Sequence, residues 1–372
     1  MSRYFGWLFT MLVMLALSVP LQALTYEVGG CKTGKSYVNF TTISAAVIAV
    51  PAGSTIEVCP GVYSEQVTIT QPLTLKGINF NNANRSVITI NDPAGALLAP
   101  NVTSLTTGQP FYAQVLVQNV NPAGPVNLTG ITVDGTGGNA GQCSVGSTLL
   151  AGIFYASGTS GTVDEVTARN QVNDGCGYGI WVENADATSQ TIAIKNSSVH
   201  DVGGLGGAIA ASSFSPSTLT ASISGNFLSN AGFIGIQGDT SGEIAGNLLT
   251  SSGTGDVGIF ADAVELTVSG NIVANWYEGI EIKLASTVES NKLSIVGSAV
   301  TILPNVVAAI KSNTAMNADC GFNFSSGSSS GVVSSNVLND AENAFANWLG
   351  SPISGNSLYN IDTIQPTSAS CP

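Results

Sequence analysis

A short motif that pairs glycine or serine with asparagine recurs along the second half of the chain. Each copy reads Gly-Asn or Ser-Asn, usually followed by aliphatic residues, as in GNFL, GNLL and GNIV. The asparagines follow one another at intervals of 20 to 24 residues, and they are Asn226, Asn247, Asn271, Asn291, Asn313, Asn336 and Asn356. A period of this length is the sequence signature of a solenoid built from stacked repeats.

A Gly-Ile pair lies between successive asparagines and marks a second fixed point in the repeat. Gly235-Ile236, Gly258-Ile259 and Gly279-Ile280 each precede the next asparagine by 12 or 13 residues. Looser copies extend the series upstream, at Gly152-Ile153, Asn170, Gly179-Ile180 and Asn196. The looser spacing predicts longer loops between the earlier turns.

The period selects the fold class. A unit of just over twenty residues has no room for a helix plus a strand with their connections, and the regular leucines of a leucine-rich repeat are absent. Short alternating segments such as TASISG and ELTVSG fit three short strands per turn. We therefore predict an all-β fold, a right-handed single-stranded parallel β-helix of about nine to eleven turns.

The repeated asparagines have a structural interpretation in such a coil. Successive turns stack at ~4.8 Å, so each asparagine lies on that of the next turn. Their amides can hydrogen-bond to one another and to turn backbone that would otherwise be unsatisfied. Glycine beside the asparagine suits the backbone angles of a tight bend.

The N-terminal region carries a more specific pattern. Residues 40–77 read FTTISAAVIAVPAGSTIEVCPGVYSEQVTITQPLTLKG. This segment resembles the opening of pectin-lyase-like β-helix proteins, including pectin methylesterases and the carbohydrate-binding/sugar-hydrolase (CASH) group. The resemblance implies a short N-terminal capping helix, matched by Thr42-Ile43 and Ala45-Ala46-Val47. It also implies first strands that end near Gly61, Tyr63 and Glu65.

No complete catalytic set of these families is present. The later aspartate motifs of pectin methylesterases are missing, and SVHDVGG at 198–204 and IEIK at 280–283 only weakly match polygalacturonases. Pectate lyases use an arginine base, and Arg85 and Arg169 are the only arginines after the leader. The resemblance therefore predicts the fold and leaves the activity open.

The first residues have the layout of a secretory signal peptide. Arg3 precedes an apolar run from Phe5 to about Val19, and Pro20 and Ala23 follow. The run is shorter than the ~20 residues of a membrane span, which disfavours the alternative of an uncleaved anchor. We predict cleavage after Ala23 and an extracellular or periplasmic location. The β-helix then occupies 24–372, with a cap at about 36–52, irregular turns at about 53–150, regular turns at about 151–360 and a tail at 361–372.

An even number of cysteines in an exported chain predicts disulfides. Six cysteines follow the leader, and sequence alone does not fix their pairing. We predict three near-neighbour bonds, Cys31–Cys59, Cys143–Cys176 and Cys320–Cys371.

The charge of the chain limits its partners. The formal net charge is −13, and only 9% of residues are charged. Such a surface repels nucleic acid and anionic membranes, so we expect neither as a partner. The scarcity of basic residues also argues against lyase action on polyuronates, whose carboxylate must be neutralised, unless Ca²⁺ takes that role. We expect a monomer and no obligatory cofactor.

Period-two alternation predicts which residues of the Gly-Ile strands point outward. If each isoleucine faces the core, the second residue after the glycine forms one outward row, Phe154, Trp181, Gln237, Phe260 and Glu281. The fourth residue forms another, Glu183, Asp239, Asp262 and Lys283, with Ser212 loosely aligned. Aromatic rings stack on sugars and carboxylates bind hydroxyls, so these rows are carbohydrate-binding candidates. A solvated acidic surface with aromatics beneath loops is the alternative.

The sequence offers weaker candidates for chemistry. Asp239 and Asp262 on adjacent turns could share a proton or a Ca²⁺ ion. His200 beside Asp201 is a candidate general base, and a solvated loop histidine is the alternative.

Three functions remain open: a polysaccharide-binding protein, a polysaccharide lyase, hydrolase or esterase with a non-standard site, and a structural or adhesive surface protein.

Overall fold

The computed structural model describes residues 25–32, 37–78, 85–90, 99–137, 148–172, 177–203, 206–214, 218–252, 255–295, 297–325, 331–347 and 353–364. The predicted signal peptide, residues 1–23, lies outside these ranges. Among the described residues, no helix has the length and apolar character that a membrane span requires.

The strands form three long parallel stacks, which we call sheets 1, 2 and 3; sheet 1 has 13 strands, and sheets 2 and 3 are joined through β35 into one 23-stranded sheet. Each regular turn contributes one strand to each stack in that order. Sheet 1 contains β2 (Val38–Phe40), β1 (Thr25–Val28), β3 (Thr55–Val58), β6 (Leu73–Gly77), β10 (Val126–Thr129), β13 (Gly161–Asp164), β16 (Ser189–Lys195), β19 (Thr218–Ser224), β22 (Ser241–Ala245), β25 (Leu266–Ser269), β28 (Ser286–Glu289), β31 (Ala309–Lys311) and β34 (Val332–Ser334).

Sheet 2 follows sheet 1 around each corner marked by the repeat asparagine. It contains β4 (Gly61–Ser64), β7 (Ser86–Thr89), β11 (Thr132–Asp134), β14 (Thr167–Arg169), β17 (Ser198–His200), β20 (Phe227–Ser229), β23 (Leu248–Thr250), β26 (Ile272–Ala274), β29 (Lys292–Ser294), β32 (Thr314–Met316) and the first half of β35 (Val337–Ala346).

Sheet 3 carries the Gly-Ile strands. It contains β5 (Val67–Ile69), β9 (Pro110–Val117), β12 (Leu149–Tyr155), β15 (Gly177–Asn184), β18 (Gly207–Ser213), β21 (Ile234–Asp239), β24 (Val257–Ala261), β27 (Glu278–Ile282), β30 (Ser298–Ile302), β33 (Cys320–Phe324) and the second half of β35. The last strand, β36 (Ser357–Thr363), pairs with β35, and β8 (Val102–Thr103) pairs with β9 antiparallel. Counted over these described strands, sheet 3 has eleven members, at the upper end of the predicted number of turns.

The hydrophobic core fills the inside of the coil. In sheet 3 the isoleucines of the Gly-Ile pairs stack in register from turn to turn and are fully buried, at Ile180, Ile236, Ile259 and Ile280, and Ile209, which follows Ala208, continues the same row. The glycine before them is a steric requirement, because a Cβ at Gly258 would lie 2.5 Å from Val273 Cγ1 and 2.7 Å from the carbonyl oxygen of Gly279. The predicted inward direction of these isoleucines is confirmed.

The repeat asparagines form one buried ladder at the corner between sheets 1 and 2. The amide nitrogen Nδ2 of Asn271 donates to Asn291 Oδ1 at 2.9 Å and to the carbonyl oxygen of Ile244 at 2.8 Å. Its Oδ1 accepts from the backbone nitrogen and Nδ2 of Asn247, at 2.9 and 3.0 Å. The same pattern links all seven repeat asparagines from Asn226 to Asn356. Their predicted structural role is confirmed.

Asn170 and Asn196, which the spacing placed in this series, do not belong to the ladder. Asn196 lies one residue before the ladder position, where Ser197 donates its backbone N–H to Asn226 Oδ1 at 2.9 Å. Asn170 lies at the corner between sheets 2 and 3. Both have a left-handed backbone, with φ of 50° and 57°, which asparagine adopts more readily than most residues. Backbone geometry, not side-chain stacking, explains asparagine at these two sites.

A short helix closes the N-terminal end of the coil, as the resemblance predicted. Helix α1 (Ile43–Ala49) is capped by Thr42, whose side-chain oxygen accepts from the backbone nitrogen of Ala45 at 3.2 Å. The Glu65 carboxylate accepts from the backbone nitrogens of Ile43 and Ser44, both at 2.8 Å. A carboxylate at a helix N-terminus satisfies its free N–H groups and opposes the helix dipole.

One predicted disulfide is present among the described residues. Cys31 and Cys59 are bonded with their Cα atoms 5.6 Å apart, which ties the segment after β1 to the end of β3. Cys320 is also disulfide-bonded. Its predicted partner Cys371 and the predicted pair Cys143–Cys176 lie outside the described residues.

Candidate functional site

The outer side of sheet 3 is covered over its N-terminal half. Phe154 and Trp181 point away from the core, as predicted, yet Phe154 is 0% and Trp181 is 3% exposed. They pack in a second apolar cluster with Phe111 and Tyr178, with ring centroids 5.0 Å apart for Phe111–Phe154 and 4.7 Å apart for Tyr178–Trp181. The interpretation of Phe154 and Trp181 as open sugar-binding rings is wrong, because residues 99–109, the β8 arm of the hairpin that leads into β9, lie over them.

Glu183 holds this hairpin and is not available to a ligand. Its carboxylate is 1% exposed and accepts from the backbone nitrogen of Leu105 at 2.9 Å and from Trp181 Nε1 at 3.2 Å. The hydroxyls of Ser104 and Thr106 donate to the same carboxylate. Alternation predicted the outward direction of Glu183 correctly. It could not predict its burial, because the segment that covers Glu183 lies almost eighty residues upstream in the sequence.

The C-terminal half of the sheet is open and carries a cluster that we call the acidic face. Its members lie on and beside β21, β24 and β27 in successive turns, and they are Gln237, Asp239, Asp256, Phe260, Asp262, Glu278, Glu281 and Lys283. Gln237, Phe260 and Glu281 pair in register, so they form one outward row as predicted.

Asp239, Asp262 and Lys283 form the first part of the acidic face, the aspartate subsite. Asp239 Oδ2 accepts from Gln237 Nε2 at 2.7 Å, and Lys283 Nζ pairs with Asp262 Oδ2 at 2.5 Å. Burial raises the pKa of Asp239 to about 6; the Gln237 hydrogen bond opposes the rise and the Asp262 charge adds to it. The ion pair with Asp262 raises the pKa of Lys283. The predicted neighbours on adjacent turns are therefore electrostatically coupled.

Glu278 and Glu281 form the second part, the glutamate subsite, together with Asp256 and Thr301. Both carboxyls project outward from β27 and lie close enough to interact electrostatically. Burial and the charge of Glu278 raise the pKa of Glu281 to about 7. Burial also raises the pKa of Glu278; the contacts with Thr301 and Glu281 oppose the rise, and the charge of Asp256 adds to it. Two carboxyls this close cannot both ionise freely, so the pair retains a proton near neutral pH.

Three aromatic rings border these carboxyls. Phe260 is half-buried between Gln237 and Glu281, and Lys283 Nζ lies 5.8 Å from its ring centroid. Phe233 and Tyr277, which are 37% and 40% exposed, lie where the chain enters β21 and β27. An aromatic–acidic face therefore exists, but two of its rings differ from the predicted ones.

Sequence reasoning missed Asp256, Glu278, Phe233 and Tyr277 for a geometric reason. Strict alternation from an inward Ile280 makes Glu278 inward. In the structure Gly279 and Ile280 are both buried, so Glu278 and Glu281 both point outward. The repeated glycine is the signal that would have shown this, because a residue without a side chain can take a second consecutive inward position.

His200 and Asp201 lie elsewhere, at the corner between sheets 2 and 3. His200 Nδ1 is 2.7 Å from Asp201 Oδ2, and hydrogen bonds from His200 and Asn230 lower the pKa of Asp201. Arg169, which stacks in register with His200, pairs with Asp134 at 2.8 Å. The structure does not place this pair on the acidic face, and its role as a general base stays a prediction.

The aspartate subsite is a poor fit to the predicted Ca²⁺ ion. The ammonium of Lys283 already pairs with Asp262. Among the described residues, the single group of three or more metal-ligating side chains with ligand atoms within 4.8 Å is Glu27, Cys31 and Cys59. Its two cysteines are bonded to each other and offer no thiolate. A role for Ca²⁺ stays a prediction without a ligand set to support it.

Comparison with known proteins identifies the architecture. The A-module of the Azotobacter vinelandii mannuronan C-5 epimerase AlgE4 superposes with a TM-score of 0.55 at 14% identity, covering 87% of this chain and 92% of that one. The chain is a right-handed parallel β-helix. This confirms the predicted fold class and its handedness.

Two further solved structures are similar at a lower level. DFA-IIIase from Arthrobacter chlorophenolicus A6 without its lid has a TM-score of 0.46 at 14% identity, covering 92% of this chain and 90% of that one. PfbA, a surface adhesin of Streptococcus pneumoniae, has a TM-score of 0.44 at 14% identity, covering 86% and 87%. No family model and no curated protein matches the chain.

Proposed function

We propose that this protein is exported and binds a polysaccharide along the outer side of sheet 3, at the acidic face. The observation that carries the proposal is the setting of Phe260, a half-buried ring that lies between Gln237 of the preceding turn and the Glu281 carboxyl of the next. Sugar rings bind where an apolar platform is bordered by hydrogen-bonding groups, and the acidic face combines these features over three turns.

The other two sheets lack this combination among their described residues. Sheet 2 exposes Phe227, Leu248 and Ile272 in one row, but the residues that flank them on these strands are uncharged. The epimerase named above acts on mannuronan, which makes a polysaccharide compatible with this architecture. That likeness extends to the fold alone, so the proposal depends on the residues of the acidic face.

Export is supported by two observations. The predicted leader has the layout of a signal peptide, and Cys31–Cys59 is a disulfide. Disulfides form and persist in oxidising compartments outside the cytoplasm. N-terminal sequencing of protein recovered from outside the cytoplasm should begin at Leu24, whereas a start at Met1 would contradict cleavage.

A glycan array tests the binding. We expect the wild type to bind at least one polysaccharide on the array. Phe260→Ala should bind it about tenfold more weakly, because truncation of an aromatic residue at the centre of an interface has an effect of this size. Phe227→Ala is the matched control, because Phe227 is 44% exposed on sheet 2. Equal loss in both variants, or no binding by the wild type, would contradict the proposal.

A second candidate function is cleavage of the bound polysaccharide. The raised pKa values of Glu281 and Asp239 favour it, because a carboxyl protonated near neutral pH can donate its proton to a glycosidic oxygen while an ionised neighbour acts as base or nucleophile. A reducing-end assay on the array ligand tests it. Activity should be lost in Glu281→Gln and kept in Glu243→Gln, whose carboxylate is exposed on sheet 1.

A further inference from the structure

The acidic face carries an imbalance of charge. Asp239, Asp256, Asp262, Glu278 and Glu281 contribute five carboxyls, and Lys283 is the one basic side chain among the described members. Lys283 is already paired with Asp262. The charge of Asp256 raises the pKa of Glu278, and the charge of Glu278 raises the pKa of Glu281. The glutamate subsite in particular has three carboxyls and no cation of its own.

Hydrogen-bond acceptors inside the acidic face also have unused capacity. Within the described part of the chain, the buried atoms Asp239 Oδ1, Glu278 Oε2 and Thr301 Oγ1 make no hydrogen bond of normal length and angle. The contacts of Thr301 with Glu278 and of Ser212 with Asp239 are weak, although each lowers the pKa of the carboxyl. Thr301 is 4% exposed, and it projects to the same side as Glu281, with which it pairs in register. Buried polar atoms without partners are rare in proteins, and their presence at a site points to a ligand group.

The chemistry of these atoms selects the ligand group. Carboxylate oxygens accept hydrogen bonds, so the missing group is a donor, and the surplus negative charge favours a donor that is cationic. An ammonium offers three N–H donors and one positive charge. A uronate would add negative charge to the cluster, and a hydroxyl would leave its charge uncompensated.

We propose that the polysaccharide recognised by the acidic face carries free amino groups, and that one protonated amine lies in the glutamate subsite between Glu278, Glu281 and Thr301. This inference rests on the proposed function. A second amine of the same polymer reaches the aspartate subsite at Asp239. Asp239 and Glu281 lie two turns apart, about 10 Å along the axis, so the polymer passes over Phe260.

Titration calorimetry with three oligomers of equal length tests the inference: a glucosamine oligomer, its N-acetylated counterpart and a galacturonate oligomer. At physiological ionic strength we expect the wild type to bind the amine oligomer at least about tenfold more tightly than the acetylated one. The galacturonate oligomer should not bind.

Two variants locate the amine. Glu281→Gln should weaken binding of the amine oligomer by about tenfold and weaken binding of the acetylated oligomer less, while Lys283→Gln should strengthen binding of the amine oligomer because a competing cation is removed. Glu243→Gln removes the same charge on sheet 1 and controls for general attraction to a chain of net charge −13. If Glu243→Gln weakens binding as much as Glu281→Gln, the attraction is non-specific and the inference fails.

The outcomes separate this inference from the proposed function. If the acetylated oligomer binds as tightly as the amine oligomer and Phe260→Ala abolishes both, polysaccharide binding stands and the amine requirement is wrong. If no oligomer binds and the glycan array is also silent, both fail. Circular dichroism of each variant confirms that the β-helix is intact.

Discussion

Glu281 illustrates how a single residue acquires unusual chemistry from its neighbours. Its pKa is raised to about 7 by burial first and then by the negative charges of Glu278 and Asp262, and Lys283 only partly opposes this. The residue type predicts none of this. The shift arises because β27 places Glu278 and Glu281 together on the outer side of sheet 3, where both are partly buried.

The stability of the fold should depend on pH through this residue. The folded pKa of Glu281 lies above its ordinary value of 4.5, so the fold favours the protonated form. Its contribution to stability is complete below about pH 4.5 and is lost as pH rises to about 7. We expect Glu281→Gln and the wild type to be equally stable near pH 4.5. At pH 8 the variant should be more stable, by about 1 kcal/mol after allowance for solvent screening.

Denaturant unfolding of both proteins across this pH range measures the difference. Glu278, Asp262, Lys283, Asp256 and Thr301 are the groups that face or adjoin Glu281 in these turns, and all are unchanged in the comparison. If the difference in the free energy of unfolding between the two proteins stays constant across the pH range, the pKa of Glu281 is not raised in the folded state.

At the scale of elements, the asparagine ladder and the hairpin have different structural roles. The ladder satisfies backbone groups at a corner that no strand pairing reaches, and it repeats because the turns repeat. The β8 arm of the hairpin, residues 99–109, covers one half of sheet 3 and leaves the other half open. The ladder was predictable because its asparagines recur at a fixed period. The hairpin breaks that period, so the sequence did not predict it.

Removal of one ladder side chain should destabilise the fold strongly. Asn271→Ala leaves the backbone N–H and side-chain amide of Asn247, the carbonyl of Ile244 and Asn291 Oδ1 each short of one partner. We expect a loss of about 3–5 kcal/mol in the free energy of unfolding, because each buried group left unpaired costs about 1 kcal/mol or more. Asn127→Ala, on the outer side of β10, is the control and should cost less than about 1 kcal/mol. Chemical denaturation measures both; equal losses would refute the buried ladder.

The hairpin should loosen when Glu183 is removed. Glu183→Ala deletes the acceptor of Leu105, Ser104 and Thr106, and it leaves Trp181 Nε1 without its partner. We expect faster limited proteolysis within residues 99–109 and greater quenching of Trp181 fluorescence by acrylamide, with the rest of the coil intact. Asp186→Ala on an exposed turn is the control. Unchanged proteolysis would mean that apolar packing alone holds the hairpin.

At the scale of the whole molecule, the sequence predicted what is periodic. The coil, the inward isoleucines and the ladder follow from repeat spacing and alternation, the capping helix from the resemblance of residues 40–77, and Cys31–Cys59 from near-neighbour pairing. Alternation placed Gln237, Phe260 and Glu281 in one outward row of sheet 3, as observed. It also gave the outward direction of Phe154, Trp181 and Glu183, but not their burial, because burial by a distant segment is a tertiary effect. Glu278 was missed because two consecutive inward residues break the alternation.

The location of the bound glycan tests the central claim, that the open half of sheet 3 is the binding surface. A crystal structure of the protein with an oligosaccharide that it binds measures this directly. We predict sugar density over the ring of Phe260, with polar contacts to Glu281 and Asp239. Density on the outer side of sheet 1 or sheet 2, with the acidic face in contact with solvent alone, would contradict the account.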